Sequence, residues 1–474
     1  MHRTNFIIAA SVFGILDCSR YYAYGQGMSK TSSSEGPVLS PSARKNLKTV
    51  FLTIFLDLVG FSIIFPLFPA VARHYLAINA DDPILRCIFG IIDAMAVAGG
   101  SVSEAQRIVL FGGLLGAVYS LLQFLFAPVW GALSDRIGRR PVLLITLAGM
   151  ALSYILWFVS GSFTLLVMAR MIGGVMGGNI STATAVVSDV TDSQTRSRGM
   201  AVIGIAFGLG FVLGPAIGGI SSLWNPLTTH PELAAFGVNP FSGAALIAFL
   251  FAILNFVMVY RLLPETLPPE KRGQSEIVRS SNPLKLFRPF PYKGVNLTNL
   301  GYFFFLSAFS GMEFTLTFLA ADRFDYTPRQ NAMMFVFVGF LIAMVQGGFV
   351  RRKARQIGEK KMVLMGLLAV MPGLLLIGYA QTQGMLFAGL AFLAFGSATI
   401  IPCLTALTTL YAPAEVQGHV IGAFRSLGAL ARMVGPLVAS LVYWRYGSLA
   451  PYLAGAAFLF LPVGLIAKLP IIGE

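Results

Sequence analysis

Long apolar runs dominate the chain, and short polar segments interrupt them at regular intervals. Each run is about 20 residues long, which matches the length of a helix that crosses a bilayer. In lipid a helix satisfies all of its own backbone hydrogen bonds, so runs of this length favour spanning helices. We therefore predict twelve transmembrane helices, at residues 47–70, 108–130, 141–160, 163–188, 199–223, 241–263, 297–320, 331–350, 361–380, 384–410, 418–442 and 449–470.

Two features of the first half of the chain recur in the second half. DRIGRRPVLL around Gly138 is matched by RQIGEKKMVL around Gly358. VLGPAIGG around Pro215 is matched by MVGPLVAS around Pro436, and nearly the same number of residues separates the two members of each match. Parallel repeats of this kind predict two halves that rock about a site between them. The predicted fold class is therefore an all-α membrane protein with twelve transmembrane helices in two six-helix pseudo-repeats.

The polar segments set the predicted domain boundaries. The units are a disordered cytoplasmic tail, a first six-helix half, a cytoplasmic linker and a second six-helix half, at residues 1–45, 46–263, 264–296 and 297–474. Whether residues 1–27 belong to the native chain stays open, because Met28 begins an ordinary polar tail and is an alternative start. The long loop at 71–107 is expected to contain a helix that lies at the membrane interface.

The net charge of +14 is concentrated on one side of the predicted membrane. Lys and Arg fill the segments on the side of Gly138 and the linker, whereas the opposite side carries only Arg73, Arg86, Arg107, Arg323, Arg329 and Arg445. Basic residues in short loops stay in the cytoplasm, so both termini are predicted to be cytoplasmic. This distribution argues against nucleic-acid binding, and it fits the plasma membrane and an intracellular membrane equally well.

Catalytic and metal-binding chemistry have no support in the sequence. The three cysteines, Cys18, Cys87 and Cys403, are scattered, and the four histidines lie far apart. A His, Cys or Ser constellation for catalysis does not occur. We therefore expect neither an enzyme nor a bound metal or cofactor.

One short loop combines charge, glycine and a membrane boundary. In GALSDRIGRRPVLL, which begins at Gly131, Asp135 and Arg139 are four residues apart and therefore neighbours if the segment is helical. We expect Asp135 to face the amino end of a helix from the other half, while Arg139 reaches Asp189 at the end of helix four. The predicted conformational latch comprises Gly131, Asp135, Arg136, Gly138, Arg139, Arg140 and Asp189. The alternative is that the arginines only anchor the loop to lipid phosphate.

Four stretches resemble a known transporter family. GALSDRIGRRPVLL, RMIGGVMGG from Arg170 and GLGFVLGPAIGG from Gly208 are similar to motifs of the major facilitator superfamily, and FLDLVGFSIIFPLFP from Phe55 resembles the first helix of its tetracycline-transporter-like branch. The likeness covers nearly the whole chain from about Phe51. It implies an alternating-access carrier of organic anions, some drugs included.

The likeness to bacterial tetracycline exporters is incomplete. Those exporters carry an acidic residue in helix nine, whereas MVLMGLLAVMPGLLLIGYA has none, so classical exchange of tetracycline for protons is not expected. The second copy of the loop has Arg355 where the first has Asp135, so only the first can act as a carboxylate latch. The resemblance implies that Arg170 packs at the interface of helices one and two and couples protonation to switching. The alternative for Arg170 is a static ion pair with Asp57.

Deep carboxylates are the candidates for proton coupling, together with Arg170. An ion inside the membrane costs at least ~2.5 kcal/mol and persists only when it is paired or used. Asp57 in helix one is explained equally well as a proton site or as the fixed partner of a buried arginine. Glu313 in helix seven is the second candidate, for a proton or another cation.

Two arginines in helix eleven are the main substrate-binding candidates. Arg425 and Arg432 are seven residues apart, so they return to one face of the helix, beside a predicted helix break at Gly435 and Pro436. We expect this face to bind an anion. The alternative is that one arginine pairs permanently with an acid while Arg425 snorkels to the interface.

Other polar and small residues have weaker signals. Gln123, Asn179 and Gln346 are further substrate-binding candidates, although polar residues at this depth more often join helices. Helix five is predicted to contain a pivot at which two helices touch, formed by Gly208, Gly210, Gly214, Pro215, Gly218 and Gly219.

The sequence as a whole predicts a monomeric secondary transporter that is coupled to protons. Its expected partners are a small organic anion or drug, protons and membrane lipid, and nucleic acid is not among them. The alternatives are an exporter of cationic or zwitterionic drugs and a receptor or scaffold that does not transport. Buried ions favour transport, because a scaffold has no use for them.

Overall fold

The structure is a computed structural model, and it describes residues 40–78, 81–97, 103–191, 195–272, 288–413 and 416–470. Within these ranges twelve helices are long and apolar enough to span a membrane, which confirms the predicted number. In chain order α1 to α12 are Pro41–Ile78, Gln106–Ile137, Arg139–Phe158, Phe163–Val190, Val202–Thr229, Ser242–Leu262, Lys293–Phe324, Pro328–Ala354, Glu359–Gly378, Gln383–Leu410, Val420–Tyr446 and Ala450–Ala467. We call the side on which Gly138 lies the loop face and the opposite side the far face.

The first helix begins earlier and ends later than predicted. The Ser40 hydroxyl accepts a hydrogen bond from the Ala43 N–H at 3.2 Å, and Pro41 occupies the first turn, so the helix starts inside the segment predicted to be disordered. A short 3₁₀ turn at Phe65–Leu67 interrupts α1, which then continues to Ile78. The rest of the predicted tail, including Met28, lies outside the described residues.

The predicted linker is also shorter than expected. Its last residues, from Lys293, already form the first turn of α7. The Asn296 side chain closes the preceding loop, because it accepts from the Phe290 N–H at 2.8 Å and donates to the Phe290 carbonyl at 2.7 Å. Residues 273–287 of the linker lie outside the described residues.

The long loop of the first half contains a helix, at Pro83–Val97. Asp82 holds its start, accepting hydrogen bonds from the N–H groups of Ile84 and Leu85 and from both the N–H and the hydroxyl of Thr164 in α4. Burial opposes the charged form of Asp82, but these donors together hold its pKa below the usual value. Asp82 thus fixes the start of this helix to the first turn of α4, which lies at the far face. The position of the helix at a membrane interface stays a prediction.

Matching turns in the two halves follow the predicted repeat. Gly138 joins α2 to α3 with φ of 107°, and Gly358 joins α8 to α9 with φ of 86°. Such positive φ values favour glycine, because a Cβ atom is strained there. The next turn of each half is also matched, since the hydroxyls of Ser162 and Thr382 cap α4 and α10, each at 3.3 Å.

Each half carries a hydrogen-bonded brace at the far face, built with a different side chain. In the first half the Tyr75 hydroxyl at the end of α1 donates to the Ser160 carbonyl in the α3–α4 turn, which also accepts from the Asn239 amide at 3.3 Å. In the second half Arg323 at the end of α7 takes the equivalent place. The brace ties three separate helix ends of one half together.

Loss of the arginine brace is expected to destabilise the second half. Arg323 donates to the carbonyls of Gly378 at 2.6 Å and Ala380 at 3.2 Å and to the Ser448 hydroxyl at 2.9 Å. Arg323→Leu should lower the free energy of unfolding by about 2–3 kcal/mol, since hydrogen bonds to a charged donor are lost and buried carbonyls lose their partner. Thermal unfolding of the purified protein measures this. Arg329→Leu, at an exposed far-face arginine, is the control, and equal melting of both variants contradicts the brace.

The two halves meet along α2 with α11 and along α5 with α8. Near the far face Gly113 of α2 lies so close to Ser440 of α11 that a Cβ atom there would overlap the serine, and Gly219 of α5 meets Ala332 of α8 in the same way. Towards the loop face, Ile421 of α11 packs into a hydrophobic cluster of the first half. Between these contacts a space remains that residues of both halves line.

Candidate functional site

The space between the halves is a charged cavity with aromatic walls, which we call the central cavity. It encloses about 40 Å³ and is lined by residues of both halves, namely Phe61, Phe65, Phe68, Gly116, Ser120, Arg170, Phe211, Ser310, Glu313, Phe314, Arg432 and Pro436. This volume has room for a few water molecules only, so the halves must move apart before an organic ligand fits between them. Two arginines face one carboxylate, so the charged side chains of the lining carry an excess of positive charge.

Arg432 projects into the central cavity against phenylalanine rings of the first half. Its guanidinium carbon lies 4.2 Å from the centroid of Phe211 and 5.4 Å from that of Phe207. Glu313 interacts with Arg432 electrostatically, but the two side chains do not form an ion pair of normal length. The arginine therefore keeps hydrogen-bonding capacity for a ligand.

Arg425 shares a face of α11 with Arg432 but does not line the central cavity. Its guanidinium carbon lies 5.0 Å from the Phe207 centroid, and it also interacts with the Tyr302 hydroxyl. The predicted break beside this face is wrong, because the helix runs without interruption from Gln417 to Tyr446. Gly435 is needed for packing, since a Cβ atom there would overlap Ser310 of α7.

Arg170 is buried beside tyrosine rather than in an ion pair. Only 4% of the residue is exposed, and its guanidinium carbon lies 4.8 Å from the Tyr119 ring centroid. Within the part of the chain that the structure describes, it forms no ion pair with Asp57. The guanidinium thus lies against α2, one of the two helices between which the resemblance places it, and no static pair with Asp57 forms among the described residues.

Asp57 lies in a buried polar cluster of the first half. It is 8% exposed and interacts with the Asn179 amide, although neither amide atom of Asn179 makes a hydrogen bond of normal geometry. The Tyr154 hydroxyl and the Arg170 Nε atom are buried nearby and also lack a hydrogen-bond partner. Buried polar groups without a partner are uncommon in native structures, so their clustering here needs a functional or structural explanation.

The other polar candidates lie away from the lining of the central cavity in the described structure. Gln123 donates to the Gly177 carbonyl at 2.9 Å and so joins α2 to α4. Asn179 belongs to the cluster around Asp57. Gln346 lies in a π-helical turn of α8, Val345–Val350, a deviation that is frequent at functional sites.

Most of the glycine row in α5 contacts its own half. Gly210, Gly214 and Gly218 face α1, where Cβ atoms would overlap Leu58, Ser62 and the Ile63 backbone. Pro215 is buried in the same stretch, and Gly208 faces open space. Of the predicted pivot residues, Gly219 is the one whose close neighbours belong to the other half.

The latch residues form an ion-paired network at the loop face. Arg139 pairs with Asp135, as the four-residue spacing predicts, and its Nε atom lies 2.9 Å from Asp189 of α4. Its Nη1 atom donates to the Ser134 hydroxyl at 2.7 Å, and that hydroxyl donates to the Gly131 carbonyl at 2.7 Å. The amino end of α11 is on the same face, but side chains 417–419 lie outside the described residues, as does any contact of Asp135 with them.

The outer arginines of this loop have different surroundings. Arg136 is exposed. Arg140 donates to the Tyr260 carbonyl at 2.6 Å, and its guanidinium carbon lies 5.4 Å from the Tyr260 ring centroid. Arg140 therefore ties the latch to the end of α6.

Sequence reasoning missed Glu265, which follows α6. Its carboxylate accepts from the N–H groups of Arg139 at 2.9 Å and Arg140 at 3.2 Å, so it caps the amino end of α3, where the helix dipole favours an anion. The adjacent Thr266 hydroxyl donates to Asp189 at 3.2 Å. The position of an acidic residue shortly after helix six, on the loop face, could have indicated this role of Glu265. The first residues of the linker thus belong to the same network as the predicted latch residues.

Comparison with known proteins supplies the family. A family model described as Major Facilitator Superfamily matches residues 50–436 and 352–470. The chain belongs to the major facilitator superfamily. A member from Bos taurus, major facilitator superfamily domain-containing protein 10, is 40% identical over 441 residues, which cover 89% of this chain and 92% of that protein. This superfamily member is accordingly a multi-pass integral membrane transporter and not an enzyme.

Two further relatives define the neighbourhood within the superfamily. The crystal structure of the human organic anion transporter MFSD10 (TETRAN) is similar with a TM-score of 0.71 at 37% identity, covering 90% of this chain and 100% of that one. The class C tetracycline resistance protein of Escherichia coli is 28% identical over 393 residues, covering 82% of this chain and 88% of that protein. The superfamily fold is therefore shared along nearly the whole chain.

Proposed function

We propose that this transporter moves organic anions by alternating access and that protons drive the transport. The observation that carries the proposal is the central cavity, in which Arg170 and Arg432 face a single carboxylate, Glu313. Arginine binds carboxylate, sulfate and phosphate groups through paired hydrogen bonds, so the excess positive charge favours an anion. The similarity to the human protein, an organic anion transporter, supports the same substrate class.

The walls of the central cavity favour a substrate with an apolar or aromatic body. Five phenylalanines line it, and the rings of Phe61 and Phe65 lie 5.3 Å apart edge to face. Aromatic side chains stack on planar ligands with little conformational cost. An amphiphilic anion, with one charged end and an aromatic or aliphatic body, therefore matches both features of the cavity.

Proton coupling rests on the two deep carboxylates. Glu313 lines the central cavity, and Asp57 lies in the buried polar cluster with Asn179 and Tyr154. Neither carboxylate is held in an ion pair among the described residues. An unpaired charge at this depth is costly, so binding a proton is the simplest way to neutralise either carboxylate. Arg170 reaches both places, since it lines the cavity and belongs to the cluster.

We assign the loop face to the cytoplasm, with both termini on that side. The latch arginines Arg136, Arg139 and Arg140 lie there, and short basic loops are retained in the cytoplasm. The latch then acts on the cytoplasmic side, where its ion pairs hold α2, α3 and α4 together in one arrangement and break when the halves rock.

Uptake and efflux of labelled organic anions in proteoliposomes test the transport proposal. At two external pH values, saturable anion flux that follows the proton gradient is expected. An empty liposome and the protein with Arg432→Ala are the controls. Flux of cations in place of anions indicates the alternative, a cationic drug exporter, and the absence of flux for every tested charge class rejects transport of these compounds.

The latch makes a separate prediction about rate. Asp135→Asn removes the ion pair with Arg139, and Gly131→Leu places a large side chain at a buried position near the end of α2, so each is expected to slow turnover by about tenfold, the effect of about 1.4 kcal/mol. Substrate affinity should stay normal, because the latch lies outside the central cavity. Exchange rate and half-saturation concentration in proteoliposomes measure the two effects.

The exposed Arg136 supplies a control for that experiment. Arg136→Gln also removes a charge from the loop, but no ion pair of the network, so its turnover should stay near that of the parent. A collapse of affinity in Asp135→Asn with a normal exchange rate per bound substrate contradicts the latch. Equal slowing by Arg136→Gln indicates simple anchoring to lipid phosphate instead.

A further inference from the structure

We propose that the chain has a second binding site, at the far face, for organic anions that also carry a hydrogen-bond donor. The site is a second cavity of about 250 Å³, which we call the far-face cavity. It is lined by residues of both halves, namely Pro66, Pro69, Ala70, Arg73, Ala321, Asp325, Tyr326, Thr327, Pro328 and Asn331. The inference rests on the proposed anion transport and adds a second binding site to the transport path.

An aromatic partition separates the two cavities. The second part of α1 contributes to both, since Phe65 and Phe68 line the central cavity whereas Pro66 and Pro69 line the far-face cavity. Phe68 of the first half meets Phe314 of the second half, with ring centroids 5.3 Å apart in an edge-to-face arrangement. Phe68 lies next to Pro69 in α1, so this pair of rings bounds the central cavity where α1 continues to the far-face cavity.

A buried amide without a partner points to a ligand. Asn331 in the first turn of α8 is 1% exposed, lines the far-face cavity, and its Oδ1 atom has no hydrogen-bond partner. The neighbouring Thr327 is already used, because its hydroxyl caps α8 through the Gln330 N–H at 3.4 Å. A buried acceptor that is left unpaired is costly, so a group that donates to it gains affinity.

Charged groups of both halves complete the site. Arg73 on α1 supplies the cation for a carboxylate or sulfonate. Asp325 lies directly after α7, where its φ of 52° is the left-handed conformation that commonly ends a helix and that Asp tolerates. Its carboxylate and the Asn331 oxygen are both acceptors, so the ligand needs a hydroxyl or N–H group besides its anionic group. Prolines and alanines line the far-face cavity together with these polar side chains, whereas five phenylalanines line the central cavity.

Equilibrium binding to the full chain in lipid nanodiscs tests the second site. The probes are labelled 4-hydroxybenzoate and labelled benzoate, which differ in the donor hydroxyl alone. The parent protein is expected to bind two molecules of 4-hydroxybenzoate, the second more weakly, and to show at least tenfold weaker binding of benzoate at that second site. The double variant Arg73→Ala with Asn331→Leu should retain only the site in the central cavity. Arg432→Ala should retain only the site in the far-face cavity.

Matched variants separate the possible failures. Arg329→Ala removes an exposed far-face charge that does not line the cavity, and it should keep both sites. If the double variant does not fold, Arg73→Ala alone is expected to weaken the second site at least tenfold. A single site in the parent that Arg432→Ala abolishes overturns the far-face site and leaves anion transport standing. Failure of the parent to bind either probe at millimolar concentration counts against both proposals.

Discussion

Arg432→Ala is expected to weaken competition by organic anions at least about tenfold while sparing uncharged compounds, the effect of losing one charge-assisted hydrogen bond of about 1.5–3 kcal/mol. The guanidinium lines the central cavity and has no ion-pair partner of normal length among the described residues. It stacks on Phe211, so its position is set before a ligand arrives. Inhibition constants for matched anionic, neutral and cationic compounds measure the effect.

Two further variants sharpen this result. Arg432→Lys keeps the charge but loses the planar fork, so it should recover part of the anion preference. Arg425→Ala should have a smaller effect, because Arg425 interacts with Tyr302 and does not line the cavity. Equal loss for anionic, neutral and cationic compounds would assign Arg432 to structure and not to substrate binding.

Removing a deep carboxylate is expected to abolish the response of transport to a pH gradient in at least one of two variants, Glu313→Gln and Asp57→Asn. Among the described residues of α8 to α10 only Glu359, in the first turn of α9, is acidic, so these two are the carboxylates left at depth. A proton carrier that cannot release its proton runs without coupling to the gradient. Anion flux with and without an imposed gradient, at constant membrane potential, measures the change.

The cavity position of Glu313 makes it the stronger of the two candidates. Glu313→Asp keeps an ionisable group at the same place and is the matched control, which should retain pH dependence. Asp57→Asn tests the buried cluster with Asn179 in the same assay. An undiminished response to the gradient in both variants removes these two carboxylates from proton coupling, and the absence of any response in the parent shows a uniporter.

Much of the latch could be predicted because its chemistry is local. Asp135 and Arg139 are four residues apart on helical backbone, and that spacing alone makes them neighbours. The contact of Arg139 with Asp189 could be predicted because α3 and α4 are antiparallel, so the start of α3 and the end of α4 lie on the same face of the membrane. Glu265 was missed because its contact with the start of α3 depends on how α6 ends, and no periodicity encodes that.

The environment of the buried charges could not be predicted in the same way. The spacing placed Arg425 and Arg432 on one face, yet only Arg432 lines the central cavity. Arg170 was expected at the interface of helices one and two, but its contact with the Tyr119 ring depends on the rotation of α2 and α4. When a helix turns about its axis by a few tens of degrees, a different side chain lines the cavity. The sequence of a helix that is apolar on all sides does not specify this rotation.

The sequence by itself determined the twelve spans, the two-fold repeat and the position of the latch, because the bilayer imposes a length on every apolar segment and a helix imposes its own spacing. The tertiary structure alone decided the central cavity, the partition by Phe68 and Phe314, and the far-face braces of Tyr75 and Arg323. These features join residues from helices far apart in the chain. In an apolar environment they depend on close packing between helices, which hydrophobic pattern does not encode.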